Sequence, residues 1–314
     1  MNKKKILVVG ELNMDIILDD INGTPVIGHE ILADKMNITL GSSSAIFASN
    51  IASLGVDTSF CGVVGKDSFG EFVLKELKNK QINTFYISQS DAHKTGVTVV
   101  LNYSQNRANI THCGAMDALD ITGIPLAEFS TFNHLHFSSY FLQKGIQADI
   151  VHLFRSAKEK GLTTSLDIQW DPNNNWNFPY KDCLPFVDIF LPNESEILML
   201  SGESKLNKAV EKIGEFANLV IVKLGIKGAL AFENGTTTFS SACLHQHFVD
   251  AIGAGDSFNA GFIYKYLLQC PLEESLRFAN LAGAINTTAS GGTGAFESAA
   301  SFKMKAKELF NILL

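Results

Sequence analysis

Asp250-Ala251-Ile252-Gly253-Ala254-Gly255-Asp256-Ser257-Phe258-Asn259-Ala260-Gly261 runs three small residues into an acidic one, and Phe258, Phe262 and Tyr266 follow at helical spacing. The pattern predicts a close turn leading into a helix with a buried apolar stripe. Small residues let the backbone approach a ligand, and the free N–H groups of a first helical turn, aided by the helix dipole, bind phosphate oxygens. A carboxylate beside such an anion hole can accept the proton of an attacking hydroxyl while the amides stabilise a transferring phosphoryl group. The same residues also read as a plain helix start, with Asp256 as N-cap and the glycines making a turn.

Outward from this turn, short β-branched runs alternate with longer segments of helical periodicity: residues 6–9, 57–63, 134–137, 163–168, 188–191 and 219–223. That alternation predicts crossover units, hence an α/β fold with three layers, a mainly parallel central sheet and helices on both faces. Residues 15–19, 31–39 and 95–111 read as strands without intervening helices, forming a small antiparallel sheet that projects from the core. Asn234-Gly235 inside residues 228–239 suits the tight turn of a hairpin. Helices over about 255–268, 273–289 and 301–313 close the chain. No repeat or linker divides the sequence, so residues 1–314 are expected to form one domain, with lid segments at about 11–40 and 95–113 inserted in the α/β core.

With 46% hydrophobic and 18% charged residues and seven prolines, the 314-residue chain has the profile of a folded globular protein. Its formal net charge of −7 disfavours nucleic-acid or membrane-surface partners, which are themselves polyanions. Five scattered cysteines without a CxxC pair fit reduced thiols. Glu11 and Asp15 interrupt the apolar run that follows Lys3, Lys4 and Lys5, so that run does not read as a secretory signal, and a cytoplasmic location is expected.

The stretch from Asp250 to Gly261 resembles the C-terminal signature of the ribokinase-like (PfkB-type) carbohydrate kinases, D-x-x-G-A-G-D followed by small residues on a helix. Gly41-Ser42-Ser43-Ser44-Ala45 through Leu54-Gly55 has the spacing of the family's N-terminal glycine-rich signature, although Ser42 and Ile46 stand where relatives commonly show glycine and asparagine. The resemblance implies ATP-dependent transfer of a γ-phosphate to a sugar hydroxyl, with Asp256 as base and Gly253, Ala254 and Gly255 framing the anion hole. It also implies substrate contacts from Asn13, Asp15, Gly41, Ser42, Ser43 and Asp167. Arg107 in the lid is a candidate counter-charge or an ordinary surface arginine. Asn193 and Glu196 match the family's N-x-x-E element, which implies Mg²⁺ held through water near Glu196; a capped helix is the other reading. Lys223, Gly225 and Gly228 match its nucleotide strand-end motif, with lysine in place of threonine, and Asn280 and Gly283 its adenine-side wall. A monovalent cation and a homodimer through the lid are both compatible with the resemblance.

Asp167-Ile168-Gln169-Trp170-Asp171 places an acid where ketodeoxygluconate and fructose kinase relatives tend to carry arginine. A negative charge there would disfavour an anionic substrate and points to a neutral sugar. A nucleoside kinase with the same phosphate machinery and a non-catalytic sugar- or nucleotide-binding descendant are the two other readings. A Walker loop fails at Phe60 and Asp67, and a dinucleotide fingerprint fails because Gly10 stands alone. The pairs His134/His136 and His245/His247 lack a third metal ligand and read as core or surface histidines.

Overall fold

The computed structural model describes residues 3–103 and 106–314. Its strands, among the described residues, are β1 (Lys5–Val9), β2 (Asn13–Ile21), β3 (Ala33–Leu40), β4 (Asp57–Gly65), β5 (Asn83–Ser90), β6 (Gly96–Tyr103), β7 (Asn106–His112), β8 (His134–Ser138), β9 (Thr163–Asp167), β10 (Ile189–Phe190), β11 (Leu219–Lys223), β12 (Gly228–Glu233) and β13 (Thr236–Ser241). The helices are α1 (Ser43–Ser53), α2 (Ser68–Asn79), α3 (Lys144–Gln147), α4 (Ile150–Glu159), α5 (Tyr180–Cys183), α6 (Glu194–Ser201), α7 (Leu206–Gly214), α8 (Ala254–Leu267), α9 (Leu272–Asn286) and α10 (Ala299–Phe310). None of these helices is long and apolar enough to cross a membrane.

Nine strands form the central sheet in the order β13-β12-β11-β10-β9-β8-β1-β4-β5. All neighbours are parallel except at one edge, where β12 runs antiparallel to both β11 and β13 and Asn234 and Gly235 turn β12 into β13 with positive φ at both positions. Alternate side chains of β1 enter opposite layers. Ile6 and Val8 pack with α1, α2, α8 and α9 through Phe47, Val73, Phe262 and Leu276. Leu7 and Val9 belong to the cluster on the other face, with Phe154, Ile197 and Ile213 of α4, α6 and α7. Each such fully buried side chain contributes about 1.5–3 kcal/mol of apolar burial, which is why the strands read as continuous apolar runs.

The small sheet has the order β3-β2-β6-β7. It is mixed rather than antiparallel as expected, because β2 and β6 pair in parallel with Asp15 opposite Thr98. The reason lies in the core: β1 and β5 run in one direction within the central sheet, so the chain leaves both at the same edge and enters β2 and β6 with the same heading. The strand β5 escaped the sequence reading. It borders the sheet and is partly solvated along its length, so its apolar run is confined to Phe85, Tyr86 and Ile87 between polar residues.

Parallel strands turn all their carboxyl ends to one edge. The chain diverges to opposite sides of β1, toward β4 and toward β8, and ligands of open α/β sheets bind outside such a switch point.

Candidate active site

The first turn of α8 forms the centre of that edge. Gly253 caps it in the left-handed region at φ 73°, and a Cβ there would lie 2.5 Å from Gly292 Cα. Asp256 is the third helical residue, not the N-cap that the plain reading supposed. Of the first-turn amides, Ala254 N is engaged, donating to Ala251 O at 3.3 Å, whereas those of Gly255 and Asp256 have no backbone acceptor among the described residues.

Two cavities meet at this turn. One, of about 320 Å³, is lined by Lys223, Gly225, Gly228, Ala254, Gly255, Asn280 and Gly283, and its wall is completed by Ile226, Leu244, Phe248 and Phe258. The other, of about 250 Å³, is lined by Gly253 and Asp256 together with Glu11, Asn13, Asp15, Ser42, Ser43, Thr98, Arg107 and Trp170. The first is mostly apolar with a few polar groups, Lys223 among them; the second carries the carboxyl groups.

Asp256 is 7% exposed. Burial foremost, then the charges of Asp167 and Glu11, raise its pKa from 3.8 to about 8 against the opposing Lys223 ammonium and Ser43 hydroxyl. Gln169 Nε2 donates to Asp256 Oδ1 at 3.3 Å and to Asp167 Oδ2 at 3.0 Å. Asp167 was expected to touch substrate. It is instead fully buried beneath the cavity, and its Oδ2 also takes Lys223 Nζ at 2.5 Å and Asn259 Nδ2 at 2.6 Å. Burial works against the Lys223 ammonium, but Asp167, Glu196 and Asp256 outweigh it and hold the pKa above the ordinary lysine value.

Asn13 Nδ2 donates to Asp15 Oδ1 at 3.0 Å and to Thr98 Oγ1 at 2.7 Å, and Asn13 Oδ1 is buried with no donor among the described residues. Burial first, with Glu11, raises Asp15 to about 7 against Asn13 and Arg107. Gly41 does not line the cavity. A side chain there would strike the Asp15 carboxylate, so the glycine makes room for Asp15. Ser42 lines it, but its hydroxyl is engaged, donating to Glu11 O at 2.5 Å and accepting from Ala45 N at 3.0 Å.

Glu196 lines neither cavity. Its Oε2 accepts from Asn193 N at 2.8 Å and its Oε1 from Asn193 Nδ2 at 2.7 Å, a capping box on α6. Burial and Asp167 raise it to about 7. Among the described residues no three acidic, histidine or cysteine side chains are placed to hold a metal ion. The donors fit Mg²⁺ that arrives on phosphate oxygens with its own waters rather than a protein-built cage.

Sequence reasoning missed Glu11, Ser139, Gln169 and Trp170 in the polar cavity. Glu11 accepts from Ser44 N at 3.2 Å, from the Ser44 hydroxyl and from Ser139 Oγ at 2.8 Å, and burial raises its pKa against these bonds. An acid directly after an apolar strand at the carboxyl edge was the available signal. The charge argument from Asp171 also needs correction. Its carboxylate accepts from the backbone amides of Asn173, Asn175 and Trp176 at 2.9, 2.8 and 2.7 Å, and the residue lies outside the cavity lining.

A family described as pfkB family carbohydrate kinase matches residues 3–299. A ribokinase of Lactococcus lactis is 26% identical over 310 residues, which cover 97% of this chain and 98% of that one. Among solved structures, a ribokinase of Arabidopsis thaliana complexed with ribose and ATP shares 24% identity at a TM-score of 0.80, covering 96% of this chain and 98% of that one. An adenosine kinase from Sinorhizobium meliloti shares 22% identity at a TM-score of 0.82, covering 95% and 98%. At these identities the two structures share the fold.

Proposed function

Because the chain belongs to the pfkB family of carbohydrate kinases, phosphotransferases with an alcohol group as acceptor, we propose that it moves the γ-phosphate of MgATP to a primary hydroxyl of a small neutral sugar, with Asp256 as base. The observation that carries this reading is the position of the first α8 turn between the two cavities. Asp256 faces the polar one, Ala254 and Gly255 line the apolar one, and two free amides lie between.

In this reading the nucleotide occupies the 320 Å³ cavity, with its base against Leu244, Phe248 and the Asn280–Gly283 segment of α9. Sugar hydroxyls donate to Asp15 and to the vacant acceptor Asn13 Oδ1. The acceptor oxygen forms a bond to the γ-phosphorus as the bond to the β,γ-bridging oxygen breaks; its proton passes to Asp256, and ADP departs. The amides of Gly255 and Asp256 hold the charge on the transferring group, and Mg²⁺ supplies further charge neutralisation when bound with the nucleotide. The small sheet, which brings Asn13, Asp15, Thr98 and Arg107 to the cavity, acts as a lid that excludes water from the reacting phosphate.

With Asp171 turned to its own loop, the case for a neutral sugar rests on the cavity itself. Its lining carries three carboxyl groups, Glu11, Asp15 and Asp256, and one cation, Arg107. Once these raised carboxyls are ionised, a substrate carboxylate or phosphate would meet more negative than positive charge. A nucleoside acceptor is the second reading, and the exposed indole of Trp170, able to stack a base, favours it. The test is ADP release with MgATP against a panel of pentoses, hexoses, keto-deoxy acids and nucleosides. Substrate-dependent turnover that falls about 100-fold or more in Asp256→Asn supports the base, and turnover unchanged in that variant refutes it.

A further inference from the structure

Trp170 is 47% exposed, yet it lines the polar cavity, where a solvated indole gains nothing for the fold. Its placement is built rather than incidental. Gln169 before it holds φ 61°, a left-handed conformation costly for a side chain of that kind, while the Gln169 amide is fastened to Asp167 and Asp256. After it, Asp171 gathers three backbone amides and closes the loop. Within that loop the buried Trp176 meets the Trp170 ring edge to face, with centroids 5.0 Å apart at 87°, and Trp176 is in turn seated on Phe141 at 5.6 Å. One face of the outer indole is therefore left for a ligand.

We propose that Trp170 is a specificity-determining residue, a platform on which the C–H face of a cyclic sugar packs while its hydroxyls turn to Asn13 and Asp15. Ring C–H groups carry partial positive charge and an indole face carries negative charge, so the pairing is favourable both electrostatically and by apolar burial. An open-chain polyol offers no such face. The inference rests on the polar cavity being the acceptor site, and it selects a ring sugar over an acyclic polyol; a nucleoside, whose base would claim the indole, is the competing occupant that the test separates.

The chain contains two tryptophans, so its emission reports on this pair alone. Intrinsic fluorescence would be titrated with D-ribose, D-fructose, erythritol and adenosine, on the full chain and on Trp170→Leu and Trp170→Phe, beside steady-state kinetics with MgATP. The expected result is an emission change with a cyclic sugar that is turned over, lost in Trp170→Leu, whose remaining Trp176 signal verifies folding. In that variant KM for the sugar rises about tenfold with kcat held within about threefold, and Trp170→Phe recovers most of the loss. Turnover of a sugar without an emission change, or an unaltered KM in Trp170→Leu, overturns the platform. A larger response and faster turnover with adenosine overturns the choice of a sugar. If nothing is turned over but a sugar still shifts the emission, the platform stands and the phosphotransfer reading is what fails.

Discussion

Lys223 Nζ lies 2.5 Å from Asp167 Oδ2, and the pair is nearly sealed from water, with side chains 11% and 0% exposed. One ammonium thereby serves three acids, since Glu196 and Asp256 also act on it. In the sequence this lysine stands where the nucleotide strand-end motif that it resembles has threonine. It lines the apolar cavity, so it can still reach a phosphate, but its nearest charge is Asp167. Lys223→Met strands a buried carboxylate and is expected to cost about 3–5 kcal/mol in urea unfolding. Adding Asp167→Asn is expected to restore most of that loss, because the second change removes the stranded charge. A double variant no more stable than Lys223→Met would show that the ion pair is not the source of the cost.

The raised carboxyls make stability fall with rising pH. Asp256 ionises near 3.8 when unfolded and at about 8 when folded, so between these values the folded state holds a proton that the unfolded state has lost. Asp15 and Glu196, each raised to about 7, act in the same direction. The stabilisation is complete below about pH 4 and is lost progressively up to about pH 8. Asp256→Asn is expected to flatten this decline and to be more stable than the parent at pH 8, measured by thermal unfolding at pH 5, 7 and 8. Activity should move the opposite way: kcat/KM of the free enzyme rises with pH through about 8 as Asp256 becomes able to accept a proton.

The core was legible because parallel strands covered on both faces must be apolar throughout, and the runs at residues 6–9 and 219–222 are just that. The hairpin was legible from Asn234-Gly235, since few other pairs tolerate two positive φ values. The small sheet's pairing was not, because the heading of β6 depends on where β5 lies, and the short run Phe85-Tyr86-Ile87 of β5 was not read as a strand. In the site, Asp256 stood out by its glycine context. Glu11 was taken only as the residue that ends an apolar run, and the roles of Asp167 and Asp171 depend on which donors the fold brings to them: Lys223 from 56 positions away for the first, its own loop for the second.

Gly253 and Gly255 are expected to fail for different reasons. Alanine at 253 meets Gly292 Cα at 2.5 Å and a positive φ, so Gly253→Ala should lose about 1–3 kcal/mol of stability. At 255 the nearest atoms to a new Cβ are those of the Lys223 side chain at 3.8 Å, so Gly255→Ala should unfold like the parent. Its methyl group would nonetheless occupy the approach to the free amides. The expected result is a normal urea midpoint with kcat/KM for MgATP lowered about 100-fold. Unchanged kinetics in Gly255→Ala would place the phosphate elsewhere.

Asp171 offers the sharpest separation of a charge that selects substrate from a charge that builds a loop. If its negative charge repelled anionic acceptors, Asp171→Asn would gain turnover with keto-deoxy sugar acids. The geometry gives the opposite expectation, because both oxygens are committed to the amides of residues 173, 175 and 176 and the residue is not part of the cavity lining. Asparagine keeps one acceptor oxygen and loses the charge-assisted bonds, so the variant should lose about 1–3 kcal/mol of stability and gain nothing with acids. Arg107→Met, by contrast, removes the one cation in the lining and should leave neutral acceptors within about threefold while abolishing any residual turnover of acids. Turnover of an acid that rises in Asp171→Asn and persists in Arg107→Met would reverse the assignment of both residues.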